Sequence, residues 1–569
     1  MREASGQLRI EELDATVDLA TARKARGAFF TPPEASDFIV RWGVRSPEDR
    51  VLEPSCGEAV FLVSAGRRLA ALGVAVPSAD QLQGVELHAE SVARARALLE
   101  GASLRSTLTV GSFFDLAATN TFDVVVGNPP YVRYQGFSGE ARSRAQQAAL
   151  AQGANLTGLA SSWAAFLVHA AGCTRPDGRL GMVVPGELLN RNYAAEVRAF
   201  LLRRFAQVHL VLFEARVFPG VSEEVVLVLA EGSGGCDGFS MHTVRDLAEL
   251  DGLLPLTTRH GRWSPSAAAS NWMNALIEPR ALETCERVVA EGQFSSLTGW
   301  GQPRLGMVTG ANRYYVLTAE EAQRHEISSA ELVPVSPPGS RHLRAITFNA
   351  DDWRRLTQAG GRTYLFRPPG DQSTLSTGAK RYIQMGVRSG VAEAYKCRVR
   401  TPWWRVPDMV APDLFITYMN HDAVQLAGNG AGVRCLNSVH GLRLVTEPQL
   451  GRSLLPLAAM NTLSLLSGEL VGRAFGGGML QVLPREAGRL LVPSASCVSA
   501  LAEPLRNVLR DVRALLRQRR VPEAAAQVDA LILRDSGLVT ASELDCLRDA
   551  REALHRRRMA RSGPSTRRI

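Results

Sequence analysis

The stretch Asp123-Val124-Val125-Val126-Gly127-Asn128-Pro129-Pro130-Tyr131 carries an apolar run straight into two prolines. Proline has no backbone N–H to give to a ladder, so a strand that reaches Pro129 must end there and present Asn128 at its carboxyl edge. In open α/β sheets that edge is where ligands bind. The surrounding sequence fits such a sheet: from Gly27 to Glu231 short strand-like runs alternate with longer helical ones, the pattern of a wound α/β domain. Strands are expected over 50–53, 81–86, 106–110, 122–127, 180–185, 208–213 and 225–230. Helices are expected over 59–72, 89–99, 162–173 and 194–205. The last two strands are joined by only a short connection, which predicts a mostly parallel sheet ending in an antiparallel hairpin.

After Ala230 the run Gly232-Ser233-Gly234-Gly235-Cys236-Asp237-Gly238 reads as a flexible loop or a domain boundary. The organisation expected is a first domain over 1–231, a connecting segment over 232–296, an irregular α+β domain over 297–498, and a helical C-terminal segment over 499–569 that ends in a basic, disordered tail. The chain has 569 residues and a formal net charge of +9, which suits a polyanionic partner, although the excess is mostly arginine and part of it lies in the tail. Eight cysteines stand singly, without a CxxC pair, so neither a zinc site nor a disulfide framework is expected, and a reducing cytoplasm fits best. The polar, acidic start lacks the pattern of a signal peptide, and no uninterrupted apolar run is long enough for a bilayer. No metal is implied.

Three further segments point to a ligand at the same sheet edge. Val51-Leu52-Glu53-Pro54-Ser55-Cys56-Gly57 is a strand followed by a turn in which Gly57 allows backbone to approach a ligand closely. Gly84-Val85-Glu86-Leu87 closes another strand with an acid, where a carboxylate can grip the two hydroxyls of a ribose. Phe29-Phe30-Thr31-Pro32-Pro33-Glu34 precedes the first strand, and Thr31 is placed to cap the helix that starts at the prolines. Asn128 and Pro129 offer two carbonyl oxygens side by side. Together they can accept both N–H groups of a planar amine and so localise its lone pair, while two prolines hold the backbone and Tyr131 supplies a face for stacking.

In this order, F-T-P-P-E-A-S-D-F, V-L-E-P-S-C-G, G-V-E-L, F-D-V-V-V-G-N-P-P-Y and V-F-P-G resemble the gamma-type N6-adenine DNA methyltransferases of the TaqI-like group. The resemblance spans the first 230 residues or so. It implies a Rossmann-like class I domain that uses S-adenosyl-L-methionine, followed by an α+β target-recognition domain for double-stranded DNA. By that resemblance Thr31 and the turn of Glu53, Pro54, Ser55, Cys56 and Gly57 bind the methionine part of the cofactor, and Glu86 binds its ribose. Asn128 and Pro129, with Pro130 and Tyr131, form the catalytic motif. Tyr131 and Phe218, in Val217-Phe218-Pro219-Gly220, hold a flipped adenine, and Phe166 packs near the cofactor's adenine. The sequence departs from the family at Val110-Gly111-Ser112-Phe113-Phe114-Asp115. There Ser112 stands where an aspartate usually accepts from the cofactor's adenine amine, Phe113 is available to flank that ring, and Asp115 is a substitute acceptor.

The second half resembles the recognition region of these enzymes less specifically, in 305–317, in 395–404 and in 436–440. Arginines interleaved with aromatics, namely Arg398, Arg400, Trp403, Trp404 and Arg405, suit phosphates and base edges, or else the tryptophans fill a small core. The implied protein acts as a monomer in a restriction-modification or related defence system, with a cognate restriction endonuclease as its natural counterpart. Two alternatives share parts of the pattern. A protein-glutamine N5-methyltransferase has the same Asn-Pro-Pro-Tyr chemistry but no large C-terminal domain, and a non-catalytic DNA-binding protein on this fold is suggested by Ser112 alone.

Overall fold

The computed structural model describes residues 30–218, 224–256, 262–265 and 271–560. Their contacts divide the chain into two units, the first running to Leu276 and including Ala560, and the second running from Ile277 to Met559.

The first unit is built on a nine-stranded sheet in the order β3-β2-β1-β4-β5-β7-β6-β8-β9. The strands are β1 (Val51–Pro54), β2 (Leu82–Glu86), β3 (Thr107–Val110), β4 (Phe122–Gly127), β5 (Thr174–Pro185), β6 (Gln207–Phe213), β7 (Val225–Glu231), β8 (Phe239–Val244) and β9 (Arg262–Trp263). Strands β3, β2, β1, β4 and β5 run parallel to one another, and β7 lies antiparallel between β5 and β6. This is a Rossmann-like α/β fold, the wound α/β domain that the alternation of strands and helices predicted and the class that the resemblance implied. Side chains alternate along the central strands: Val125, Leu180, Met182 and Leu212 enter the core on one face, and Val124, Val126, Val183 and Val211 enter the core on the other. Helix Ser162–Cys173 covers the first face, and helices Pro33–Gly43 and Val60–Ala71 cover the second. Near-continuous burial of β4 and β7 is what a sheet covered on both faces requires.

The sheet extends past residue 231, into what the composition marks as a connecting segment. Strand β8 pairs in parallel with β6 from His209↔Ser240 to Phe213↔Val244. The glycine run before it is a tight return rather than a boundary: Gly234 and Gly235 hold φ of 107° and 79°, and the Cys236 N–H donates to the Leu202 carbonyl at 2.7 Å.

The second unit has a five-stranded sheet in the order Gly301–Leu305, Val439–Leu444, Leu414–Thr417, Leu426–Gly430, Thr347–Asn349, together with smaller sheets and an aromatic core around Tyr314, Tyr315, Phe366 and Tyr382. Its C-terminal part, helical as expected, is three segments: Ala502–Arg517, Val521–Asp529 continued by a π-turn to Arg534, and Ala541–Ala560. The expected basic tail, 562–569, lies outside the described residues. Among those residues no single helix is long and apolar enough to cross a membrane.

Candidate active site

The carboxyl ends of β1, β2 and β4 bring the predicted residues of the first unit together. Asn128 follows β4 directly and its Nδ2 donates to the Thr31 hydroxyl at 3.1 Å. With the amide nitrogen committed to Thr31, Oδ1 is the atom turned the other way, as an acceptor for an amine must be. Thr31 therefore does not cap the helix after it. The N-terminus of Pro33–Gly43 has no side-chain cap, and its first positions need little, since proline brings no N–H to satisfy.

The loop beyond Asn128 is pinned rather than free. Pro129 is buried, the Ser162 hydroxyl donates to the Pro130 carbonyl, and the Val132 N–H donates to Ser162 Oγ at 2.9 Å. The Ser162 N–H in turn donates to the Val132 carbonyl at 3.0 Å. Ser162 opens the helix that covers this face, so one serine fastens the Asn128–Val132 loop to the sheet's packing. Tyr131, half-buried, donates its hydroxyl to the Val183 carbonyl of β5 at 3.1 Å, which fixes the plane of its ring.

After β1 the chain makes a turn in which Ser55, Gly57 and Ala59 all have positive φ, 57°, 53° and 60°. Only Gly57 adopts this freely, so two other residues are held there by their surroundings. Glu86, at the end of β2, holds the turn: Oε2 accepts the Gly57 N–H and Oε1 the His88 N–H, both at 3.0 Å. The Cys56 side chain points into the sheet instead of toward the edge. A Cβ on Gly84 would come within 2.9 Å of Cys56 Sγ, which is why a glycine stands in β2 there. Burial pushes the Cys56 thiol well up, so it is inert. Glu53 is also turned inward, accepting the Leu62 N–H at 3.0 Å from the start of helix Val60–Ala71, whose N-cap residue offers no side chain of its own. Burial raises the Glu53 carboxyl well above its ordinary value; the Leu62 and Phe61 N–H groups pull it back in part, and the charge of Glu86 adds to the rise.

Three predicted positions fall differently. Phe113 is only 3% exposed, stacked beneath Phe166 at 5.5 Å and edge-on to His169 at 4.8 Å, so it belongs to the core rather than to a ring-flanking surface. Phe166 is the one residue of helix Ser162–Cys173 that is not buried. Ser112 uses its hydroxyl to accept the Phe114 N–H at 3.3 Å, and Asp115 is drawn away to Arg144 at 3.2 Å. Phe218 packs edge-on against Phe213 in the core of the opposite sheet face from the one Tyr131 packs on. Residues 219–223, which include Pro219 and Gly220 of the same motif, lie outside the described residues.

In the second unit the interleaved arginines and aromatics separate by role. Trp404 is buried and donates Nε1 to the Pro369 carbonyl at 3.3 Å, and Trp403 packs 5.8 Å from Tyr314. Arg400 gives its guanidinium to the Thr309 carbonyl at 2.8 Å and to that of Val308. These three build the aromatic core; only Arg398 and Arg405 of the predicted set face solvent. Tyr395 and Lys396, which lie in the stretch that resembles the recognition region but were not among its expected contacts, are exposed as well.

Comparison with known proteins matches both halves of the chain. Residues 94–218 match the Eco57I restriction-modification methylase family, and residues 269–533 match the C-terminal domain of the type II methyltransferase M.Eco57I. Both matched segments are thus similar to parts of restriction-modification methyltransferases. Among relatives, the type II methyltransferase M.PaeR7I of Pseudomonas aeruginosa is 25% identical over 566 residues, covering 88% of this chain and 93% of that protein. M.AccI of Acinetobacter calcoaceticus is 19% identical over 425 residues, covering 74% and 76% of the two chains. Among solved structures, the type IIL restriction-modification enzyme MmeI, determined in complex with DNA, aligns over 98% of this chain and 78% of its own with a TM-score of 0.57 at 12% identity, a likeness of fold.

Proposed function

We propose that the chain transfers a methyl group from S-adenosyl-L-methionine to N6 of an adenine flipped out of duplex DNA, at a specific sequence, as the modification enzyme of a restriction-modification or related defence system. The observation that carries this reading is the Asn128 amide, set at the end of β4 with its nitrogen held by Thr31. The amine of adenine is a poor nucleophile because its lone pair is delocalised into the ring. Asn128 Oδ1 and the Pro129 carbonyl accept its two N–H groups and favour a pyramidal nitrogen whose lone pair faces the methyl. Tyr131, anchored to β5, stacks on the extruded base, and the cost of unstacking is met by DNA contacts in the second unit. The proton leaves to water after transfer, so the reaction needs no strong general base.

The residues at the sheet edge fit the cofactor. Each Glu86 oxygen accepts one backbone N–H and keeps lone-pair capacity for a ribose hydroxyl. The space over Gly57 is open, a Cβ there meeting nothing within 4 Å. Phe166, half-buried where Phe113 is buried, is the ring that flanks the cofactor's adenine in this reading, in the place expected of Phe113. When bound, S-adenosylmethionine supplies an electrophilic methyl group on sulfonium. The names of the relatives add weight, since the type II methyltransferases span both units of this chain.

The test is transfer of radiolabelled methyl from S-adenosylmethionine to duplex DNA, followed by nucleoside analysis. N6-methyldeoxyadenosine from the wild type and none from Asn128→Ala is the expected result. Label in methylcytosine would overturn the choice of base, and label in protein with none in DNA would overturn the choice of substrate.

A further inference from the structure

Residues 377–405 contain seven lysines and arginines and one acid, Glu393, so this short segment is strongly basic in a chain of formal charge +9. Two of the seven are used internally: Arg381 pairs with Glu326, and Arg400 is spent on the Val308 and Thr309 carbonyls. The other five, Lys380, Arg388, Lys396, Arg398 and Arg405, are exposed, and none is in an ion pair among the described residues. Like charges left unneutralised on one segment are a cost to the isolated protein, and a polyanion relieves it.

The segment is also stiff. Helix Thr377–Arg388 buries Tyr382, which stacks on Tyr314 at 4.7 Å and meets Phe366 edge-on at 5.0 Å, while Gly386 lets the Trp403 ring approach to a distance that a Cβ would forbid. Its outer stripe, Lys380, Gln384 and Arg388 at four-residue spacing, faces solvent. Beyond it, Tyr395 is 66% and Val399 62% exposed, four residues apart, with Lys396 Nζ 5.5 Å from the Tyr395 ring centroid. Arg400 and the left-handed Gly310, against which Lys396 packs, hold this end to the core.

Resting on the reading of the chain as a DNA methyltransferase, we propose that this face is its duplex-DNA grip: the five cations hold phosphates, and Tyr395 with Val399 meets base edges and sets which sequence is methylated. Phosphate contacts position and base contacts specify, so the two groups are separable by experiment.

Binding of the full-length protein to a duplex carrying the motif mapped for the wild type is measured across salt concentrations. Arg388→Ala/Lys396→Ala/Arg398→Ala lowers the slope of log affinity against log salt by about 2 to 3, at about 0.9 for each phosphate no longer neutralised. The charge-keeping Arg388→Lys/Arg398→Lys variant retains the slope, which separates charge from misfolding. Tyr395→Ala reduces the ratio of methylation rates between the motif and a one-base mismatch about tenfold, as expected when one base edge is no longer read. An unchanged slope overturns the phosphate grip, and an unchanged ratio overturns the role of Tyr395. A wild type that methylates DNA while both effects are absent sinks this inference alone; a wild type that methylates no DNA removes the reading beneath it.

Discussion

Thr31 and Asn128 lie 97 residues apart in sequence and meet through one hydrogen bond. Its worth is about 1 kcal/mol as a neutral pair, but its effect falls on which way the Asn128 amide points. Thr31→Val therefore slows single-turnover methyl transfer about 5- to 10-fold. Thr31→Ser, which keeps the hydroxyl, stays within about twofold of the wild type by the same reasoning. Equal rates for all three proteins would show that Thr31 does not orient the amide. The sequence marks Thr31 as a residue of interest but suggests the wrong partner for it, because capping is a local pattern and this contact is tertiary. Asn128, by contrast, is legible from Pro129 and Pro130 alone. Ser162 was invisible: a serine at the start of an apolar helix has no signature that says it will hold the Pro130 carbonyl.

The turn after β1 shows how an element sets a residue's chemistry. Glu53 is buried against the first turn of helix Val60–Ala71, and its pKa is raised chiefly by that burial. A carboxyl whose folded pKa lies above its unfolded one contributes stability below the unfolded value and loses it as pH rises toward the folded value. Glu53→Gln should therefore gain on the wild type in thermal stability as pH is raised from about 4.5 upward. Melting curves over that range check this, and a gap that narrows with rising pH would contradict it. Strands β1, β2 and β4 to β7 were readable because apolar, mostly buried runs alternate with helical ones, and β3, largely exposed, was readable from its β-branched Thr107, Thr109 and Val110. Strand β8 was not, because Phe239-Ser240-Met241-His242-Thr243-Val244 mixes polar and apolar residues and follows a glycine run that looks like a linker. Phe113 and Phe114 are adjacent in sequence, and nothing local says which ring goes into the core; the packing of Phe166 and His169 decides it.

At the scale of the whole chain, each unit has its own source of stability. In the second, Arg558 from the last helix is 4% exposed and reaches Glu469 through Nε at 3.0 Å and a second nitrogen at 2.7 Å. Burial works to raise Glu469, but hydrogen bonds from His555 and Arg558 outweigh it and hold the carboxyl below its ordinary value. Stability from this pair is thus present above the unfolded carboxyl pKa and is lost as pH falls through the depressed one. Arg558→Ala leaves Glu469 buried without its main partner and should cost about 3–5 kcal/mol in denaturant unfolding of the second unit. A loss below about 1 kcal/mol would mean the pair behaves like a surface ion pair. Such a lock between residues 89 apart was illegible in the sequence, where Arg558 reads as one more arginine of an arginine-rich helical stretch. The tryptophans of 403–404 were ambiguous for the same reason: composition shows aromatics among arginines, and only packing shows that the rings and Arg400 turn inward while Arg398 and Arg405 stay out.

The central claim is sequence-specific adenine methylation carried by Asn128, and the most direct measurement maps modified bases across the genome of a methylation-free bacterial host. Expression of the wild type should place N6-methyladenine at one recurring motif, and Asn128→Ala, expressed to the same level, should leave the genome unmodified. An unmodified genome with the wild type, or a motif that persists with Asn128→Ala, would contradict the account.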